Sequence, residues 1–273
     1  MAEKEGKSEK VQYLNLTVQS LSLFLISYYL LYLISGLSVL YISYDFDIPA
    51  RLYINKLHFD LPDDSPLWTT DAIISILMVT PVSSFVLGIL IIFIFMIAQQ
   101  RKTWMLFISI WLFLQAFNLT FGLLIENLIT QTGLVKVARE MKIKSPMMIL
   151  TVGISVFLLI KSGIFAAKFL YSHLEEHLVA TKRTRKITAL YFFFIPWLIG
   201  SGIILSFTGN SLEIKDLMLT GFMLVLLLPS FFVNSPEIRK SFIFNNKVTI
   251  ILVLVAISIS FAFYNILKDG ISF

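Results

Sequence analysis

The sequence predicts an all-α, polytopic helical membrane protein, with about seven transmembrane helices and a short amphipathic interfacial helix. Three observations carry this reading. Of 273 residues, 57% are hydrophobic and only 14% are charged, whereas soluble domains carry roughly 25% charged residues. Mean hydropathy is +0.84. The apolar residues also gather into long runs with short polar connections between them, each run close to the ~20 residues that a bilayer core requires.

The formal charge of +5 does not point to nucleic acid. Lys and Arg stand between the apolar runs, where topology signals belong, so the expected surroundings are a lipid bilayer and no nucleic acid. The chain has no cysteine, which excludes disulfides, thiolate zinc sites and cysteine nucleophiles. Residues 1–13 read as a polar cytoplasmic tail without the short apolar core of a signal peptide. Residues 14–273 read as one transmembrane bundle, whose first helix serves as its own insertion signal.

The first span is expected over 14–44, with Tyr28, Tyr29, Tyr32, Tyr41 and Tyr44 along it. The last two fall where an interfacial aromatic belt belongs. A polar connection rich in Asp and Pro follows, and Lys56 to Leu61 alternates polar and apolar residues as a short strand or surface segment does. Thr69, Thr70 and Asp71 offer capping oxygens to a second span over 71–99. In it Thr80, Ser84 and Gly88 recur every fourth residue, a small-residue ridge for close helix packing, and Pro81 is expected to bend the helix. Arg101 and Lys102 make a short hinge into the third span, 103–132.

After the third span, Leu134, Val137, Ala138 and Met141 form one face and Lys136, Arg139, Lys142 and Lys144 lie elsewhere. That pattern predicts the interfacial helix. The fourth span is expected over 146–170, the fifth over 189–207, the sixth over 217–233 and the seventh over 248–266. Pro196 and the triplet Gly200-Ser201-Gly202 predict a kink or break in the fifth. Seven spans without internal repeats do not divide into the equal halves of inverted-repeat transporters. More Lys and Arg fall on the side holding the N-terminus, which puts that terminus in the cytoplasm and the C-terminus outside. The basic segment after the third span is the exception to that pattern. A bacterial cytoplasmic (inner) membrane is the expected location.

The third span carries the feature that hydrophobicity alone leaves unexplained. Gln115, Asn118, Gly122 and Glu126 follow at helical steps and share one face, while the rest of the helix is Leu, Ile and Phe. Lipid offers such groups no partner, so the stripe must face protein or water. Gln115, Asn118 and Glu126, with Lys161 of the fourth span, are therefore the candidate lining of a solute, ion or lipid path in a transport- or channel-like protein, with Gly122 serving helix packing. The same residues fit a non-catalytic subunit or scaffold that contacts another membrane protein or a second copy of itself. In that role the amides make interhelical hydrogen bonds, and Lys161 carries its ammonium to the headgroups. The depths of Glu126 and Lys161 differ by more than a helical turn, too far for an ion pair.

One further pattern suggests an enzyme. His173-Leu174-Glu175-Glu176-His177 resembles the His-x-x-Glu-His motif of inverted zincins, in which paired imidazoles hold zinc and Glu acts as base. The resemblance covers five residues and implies a membrane-embedded metal-dependent hydrolase with zinc or iron. A third ligand would have to be Glu237, because Glu213 falls on the opposite side of the membrane. The alternative is a solvated helix extension beside the basic cluster Lys182 to Lys186, which itself reads as an anchor on anionic headgroups. Without the metal no cofactor is expected.

Overall fold

A computed structural model of the chain describes residues 2–98, 103–208, 212–234 and 246–272. Among them, seven helices are long and apolar enough to cross a membrane: Val11–Asp45, Thr70–Phe95, Trp104–Thr130, Ser145–Tyr171, Lys182–Thr208, Ile214–Phe231 and Asn246–Leu267. The protein is an all-α, multi-pass integral membrane protein. Inside hydrocarbon every N–H and C=O must be paired within the chain, and a helix does this locally.

Helix α1 (Ala2–Asp45) runs unbroken from the segment expected as a polar tail into the first span. A small hairpin follows, β1 (Ala50–Leu52) antiparallel to β2 (Leu57–Phe59), with Ala50 opposite Phe59 and Leu52 opposite Leu57. Helix α2 (Thr70–Ala98) starts where the hydroxyl of Thr69 accepts the N–H of Ala72, and it continues through Pro81 without a break. The third span joins α3 (Thr103–Phe117) to α4 (Leu123–Thr130) through a π-turn, Asn118–Gly122. Helix α5 (Gly133–Glu140) is the interfacial helix, and α6 (Ser145–Tyr171) is the fourth span. The short α7 (Glu176–Val179) leads to the fifth span, in which α8 (Lys182–Ala189), a π-turn over Leu190–Phe194 and α9 (Ile195–Thr208) are continuous. Helix α10 (Ile214–Leu227) closes in a 3-10 turn, Leu228–Phe231, and α11 (Asn246–Leu267) is the seventh span.

Two helices make the interior. Over an 18-residue apolar stretch of each span, the third is 67% buried and the first 61%, while the other five lie between 22% and 28%. Those five turn side chains such as Ile149 and Phe261 outward, as lipid-facing surfaces do. The ridge on α2 packs on the third span. Ser84 is buried there, and Gly88 lies so close to the ring of Phe117 that a Cβ would come within 2.5 Å of it.

The fifth span explains how the interior is fastened. Pro196 has no N–H to give the carbonyl of Phe192 one turn earlier. The helix widens into its π-turn just before Pro196, and the freed carbonyls are met from α1. Ser20 Oγ donates to Phe192 O at 2.5 Å, and Thr17 Oγ1 donates to Tyr191 O at 2.9 Å. Trp111 Nε1 then donates to Ser20 Oγ at 2.8 Å. One buried hydroxyl thus ties the first, third and fifth spans together.

Several expectations are corrected. The helix of the fifth span begins at Lys182, so the basic cluster forms its first turns ahead of the 189–207 stretch instead of a separate connection. That span is not broken at Gly200-Ser201-Gly202; its one irregularity is the π-turn forced by Pro196. On α5 the buried face is Leu134, Val135, Val137 and Ala138, and Met141, past the helix end, is exposed. The hinge at Arg101 and Lys102 lies outside the described residues.

Replacing Ser20 with Ala should lower unfolding stability in detergent by about 1–2 kcal/mol, since a buried carbonyl and a buried indole N–H both lose their partner. Ser22→Ala, whose hydroxyl donates only to Val18 O of its own helix, should be close to neutral. Equal effects of the two in denaturant titrations would show that the Ser20 contact is not a fastening point.

Candidate functional site: a cavity walled by the third span

The polar stripe of the third span faces a cavity of about 440 Å³ between α1, α9 and α10, with the hairpin and α5 at its outer end. At its deep end stand Phe24, Gln115 and Trp197; at the outer end stand Asn55, Lys56 and the exposed Glu213. Gln115, Asn118 and Glu126 all line it, and Thr80 of the α2 ridge joins them.

Each of these side chains is held by a specific contact. Gln115 Nε2 donates to Phe24 O of α1 at 3.0 Å, and Asn118 Nδ2 donates to Leu219 O of α10 at 2.9 Å. Among the described residues Asn118 Oδ1 has no hydrogen-bond partner, and it is buried. It sits against Gly122, where any Cβ would strike it, while Gly122 also packs on Phe222 of α10. Gly122 therefore makes room for the amide and for the neighbouring helix at once.

Glu126 is the buried charge of the site, only 3% exposed. Its Oε2 accepts from Asn127 Nδ2 at 2.7 Å, and its Oε1 accepts from Thr130 Oγ1 at 3.0 Å. Among the described residues no cationic side chain forms an ion pair with it. Lys215 and Asp216 lie within electrostatic reach at the mouth. There Lys215 Nζ pairs with Glu213 at 3.0 Å, and Asp216 caps α10 by accepting the Glu213 N–H at 3.0 Å.

Asn127 is a hub that sequence reasoning passed over. Beyond its bond to Glu126, Nδ2 donates to Leu123 O at 2.9 Å, and Oδ1 accepts from Leu134 N at 3.1 Å and from Thr132 Oγ1 at 3.3 Å. It fixes α5 to the end of the third span. The chain turns between them through Gln131, whose φ of 59° lies in the left-handed region.

Toward the amino-terminal side the cavity ends on packed rings. Phe24 meets Trp111 edge to face at 4.9 Å, Trp111 stacks on Phe192 at 6.0 Å, and Phe107 meets Phe192 at 4.8 Å. Gly200 lets the ring of Phe24 close against α9, since a Cβ would run into it. Toward the hairpin the cover is tethered. Tyr32 Oη donates to Tyr53 O at 2.5 Å, and Leu52 exchanges backbone hydrogen bonds with Ile271 at 2.8 and 3.0 Å.

The remaining predicted site residues lie elsewhere. Lys161 is exposed on α6, with Nζ 5.3 Å from the ring centroid of Phe157, and is not part of the cavity wall. His173 and His177 do not share a helix. Helix α6 ends at Tyr171 and the next helix starts at Glu176, so the i, i+4 spacing no longer stacks the imidazoles. His173 is buried, its Nδ1 2.8 Å from Phe169 O, while His177 Nε2 lies 2.7 Å from Gln12 Oε1. Among the described residues no three His, Asp or Glu side chains form a metal-holding group; Glu237 lies outside them. The walls opposite the stripe, Tyr28 and Tyr32 of α1 with Trp197 and Ser201 of α9, were missed. Their only signal was the helical spacing of the two tyrosines.

Compared with known proteins, the chain matches no family model, no curated protein and no solved structure.

Because the chain has no cysteine, single-cysteine variants report directly on the cavity. Thr80→Cys and Ser201→Cys should react with a charged, membrane-impermeant thiosulfonate added on the hairpin side, and Phe193→Cys in the aromatic packing should not. Lack of reaction at both cavity positions would mean that the space is dry. Asn127→Leu should free α5, read as faster proteolysis within residues 133–142 at unchanged cleavage elsewhere; an unchanged pattern would deny Asn127 its anchoring role.

Proposed function

We propose that this protein is a transport protein of the bacterial inner membrane, and that the cavity beside the third span is its solute-binding site. One observation carries the reading. Three polar residues that a lipid-facing helix cannot afford, Gln115, Asn118 and Glu126, face one cavity of about 440 Å³. Small-molecule sites occupy roughly 300–1,000 Å³ and combine apolar walls with a few placed polar groups. Inside a membrane, ionisable and amide side chains turned to a hydrated cavity mark substrate or ion pathways.

The closure supports a carrier rather than an open pore. Packed rings of Phe24, Trp111 and Phe192 seal the amino-terminal side, and the opposite end reaches exposed Glu213. With the N-terminus in the cytoplasm, as the placement of Lys and Arg favours, the mouth faces outward. Transport then requires the ring packing to part while the mouth closes, an exchange of access around a fixed site.

Proteoliposomes holding the protein, exposed to a cell-extract metabolite mixture and read by mass spectrometry, should accumulate at least one solute above empty liposomes. Glu126→Gln and Asn118→Leu should each remove that accumulation while the protein still elutes as the wild type does. Wild-type uptake no greater than that of empty liposomes, or full uptake by both variants, would overturn the proposal.

A further inference from the structure

We infer that the cavity accepts an organic cation, an ammonium or similar onium group carried on an apolar or aromatic body. The inference rests on the reading of the cavity as a solute site and adds the class of solute. Three features of the wall point the same way.

The first is charge. Of the ionisable groups lining the cavity, Lys56, Glu213, Lys215 and Asp216 stand at the mouth, and the Lys215 ammonium is already paired with Glu213. The interior holds the carboxylate of Glu126, with hydrogen bonds from neutral donors and, among the described residues, no cation in contact. A buried carboxylate with no cation in direct contact, only Lys215 within electrostatic reach and itself paired with Glu213, is costly. A cationic ligand supplies the counter-charge, and an anionic one would add repulsion.

The second is the polarity of the amides. Gln115 and Asn118 each have their amide nitrogen turned to a backbone carbonyl, Phe24 O and Leu219 O respectively. A carbonyl accepts only, so the nitrogen must face it, and the orientation is chemically fixed. Each amide keeps its oxygen and a second N–H; among the described residues Asn118 Oδ1 has no hydrogen-bond partner and is buried against Gly122. Beside the Glu126 carboxylate, the amide oxygen of Gln115 adds an acceptor, in a lining whose Tyr28, Thr80 and Ser201 hydroxyls can accept as well as donate.

The third is the aromatic wall. Phe24, Tyr28, Tyr32 and Trp197 surround the same space, with the rings of Tyr28 and Tyr32 stacked at 6.0 Å. Ring faces carry negative potential and attract cations, Trp most strongly, and onium groups are the ligands for which aromatic cages are built. A purely aliphatic wall would give the same apolar surface without this preference.

Three probes separate charge from cavity: tetraphenylphosphonium, its near-isosteric anion tetraphenylborate, and the smaller, neutral triphenylphosphine oxide. Radiolabelled forms are bound to the full chain in nanodiscs of zwitterionic lipid, with Leu119→Trp as the variant that fills the cavity. Tetraphenylphosphonium should bind saturably and be lost in Leu119→Trp. Glu126→Gln should weaken it roughly thirtyfold, as expected for removing one partner of a buried charge pair. Tyr28→Leu and Trp197→Leu should weaken it about three- to tenfold, with the neutral oxide little changed. These two variants leave the carboxylate in place and decide the matter if Glu126→Gln fails to fold.

If tetraphenylborate or the oxide binds as tightly as the phosphonium, or if phosphonium affinity survives both Glu126→Gln and the ring substitutions, the cation assignment falls and the cavity reading stands. If no probe shows saturable binding that Leu119→Trp removes, both fall.

Discussion

A carbonyl without a donor organises the centre of this protein. Pro196 cannot supply an N–H to Phe192 O, and hydrocarbon contains no water to take its place. The Ser20 hydroxyl supplies the missing bond and in turn accepts the indole N–H of Trp111. The first, third and fifth spans are thereby fixed in rotation as well as in position. The same device recurs away from the centre. Trp197 Nε1 reaches Thr220 O, and Tyr171 Oη reaches Ser230 O. Apolar contact alone gives little preference for one helix face over another in lipid, so polar bonds of this kind are what make the packing particular.

The cavity is a consequence of that scheme. Gln115 and Asn118 spend amide hydrogens on backbone carbonyls of α1 and α10, and this holds the two helices beside the third span. The same two residues line the cavity together with Glu126. Scaffold and site are therefore made of the same residues, seen from two sides.

The helix count was legible because hydropathy is a local property and each span carries its own record of it. The polar stripe was legible for the same reason, since a helical step relates Gln115, Asn118 and Glu126 without reference to any other helix. What the stripe faces was not. Tyr28 and Tyr32 read as ordinary aromatic decoration until α1 was seen to lie against the third span. The start of the fifth span was hidden by Lys182, Arg183, Arg185 and Lys186, whose charge masks helical turns that continue into the membrane. His173 and His177 misled because a spacing of four implies one face only while the helix lasts, and α6 ends at Tyr171.

The backbone pairing of Leu52 with Ile271 bears on biogenesis. Leu52 precedes the second span and Ile271 follows the seventh, so a chain threaded into the membrane in order has the hairpin waiting while six more helices are inserted. The sheet edge at Leu52 is open until then, and the bridging residue Ile271 arrives only after α11 is in place. The outer wall of the cavity is thus the part of the fold completed latest, and a truncated or stalled product would carry the polar stripe with its vestibule still unfinished.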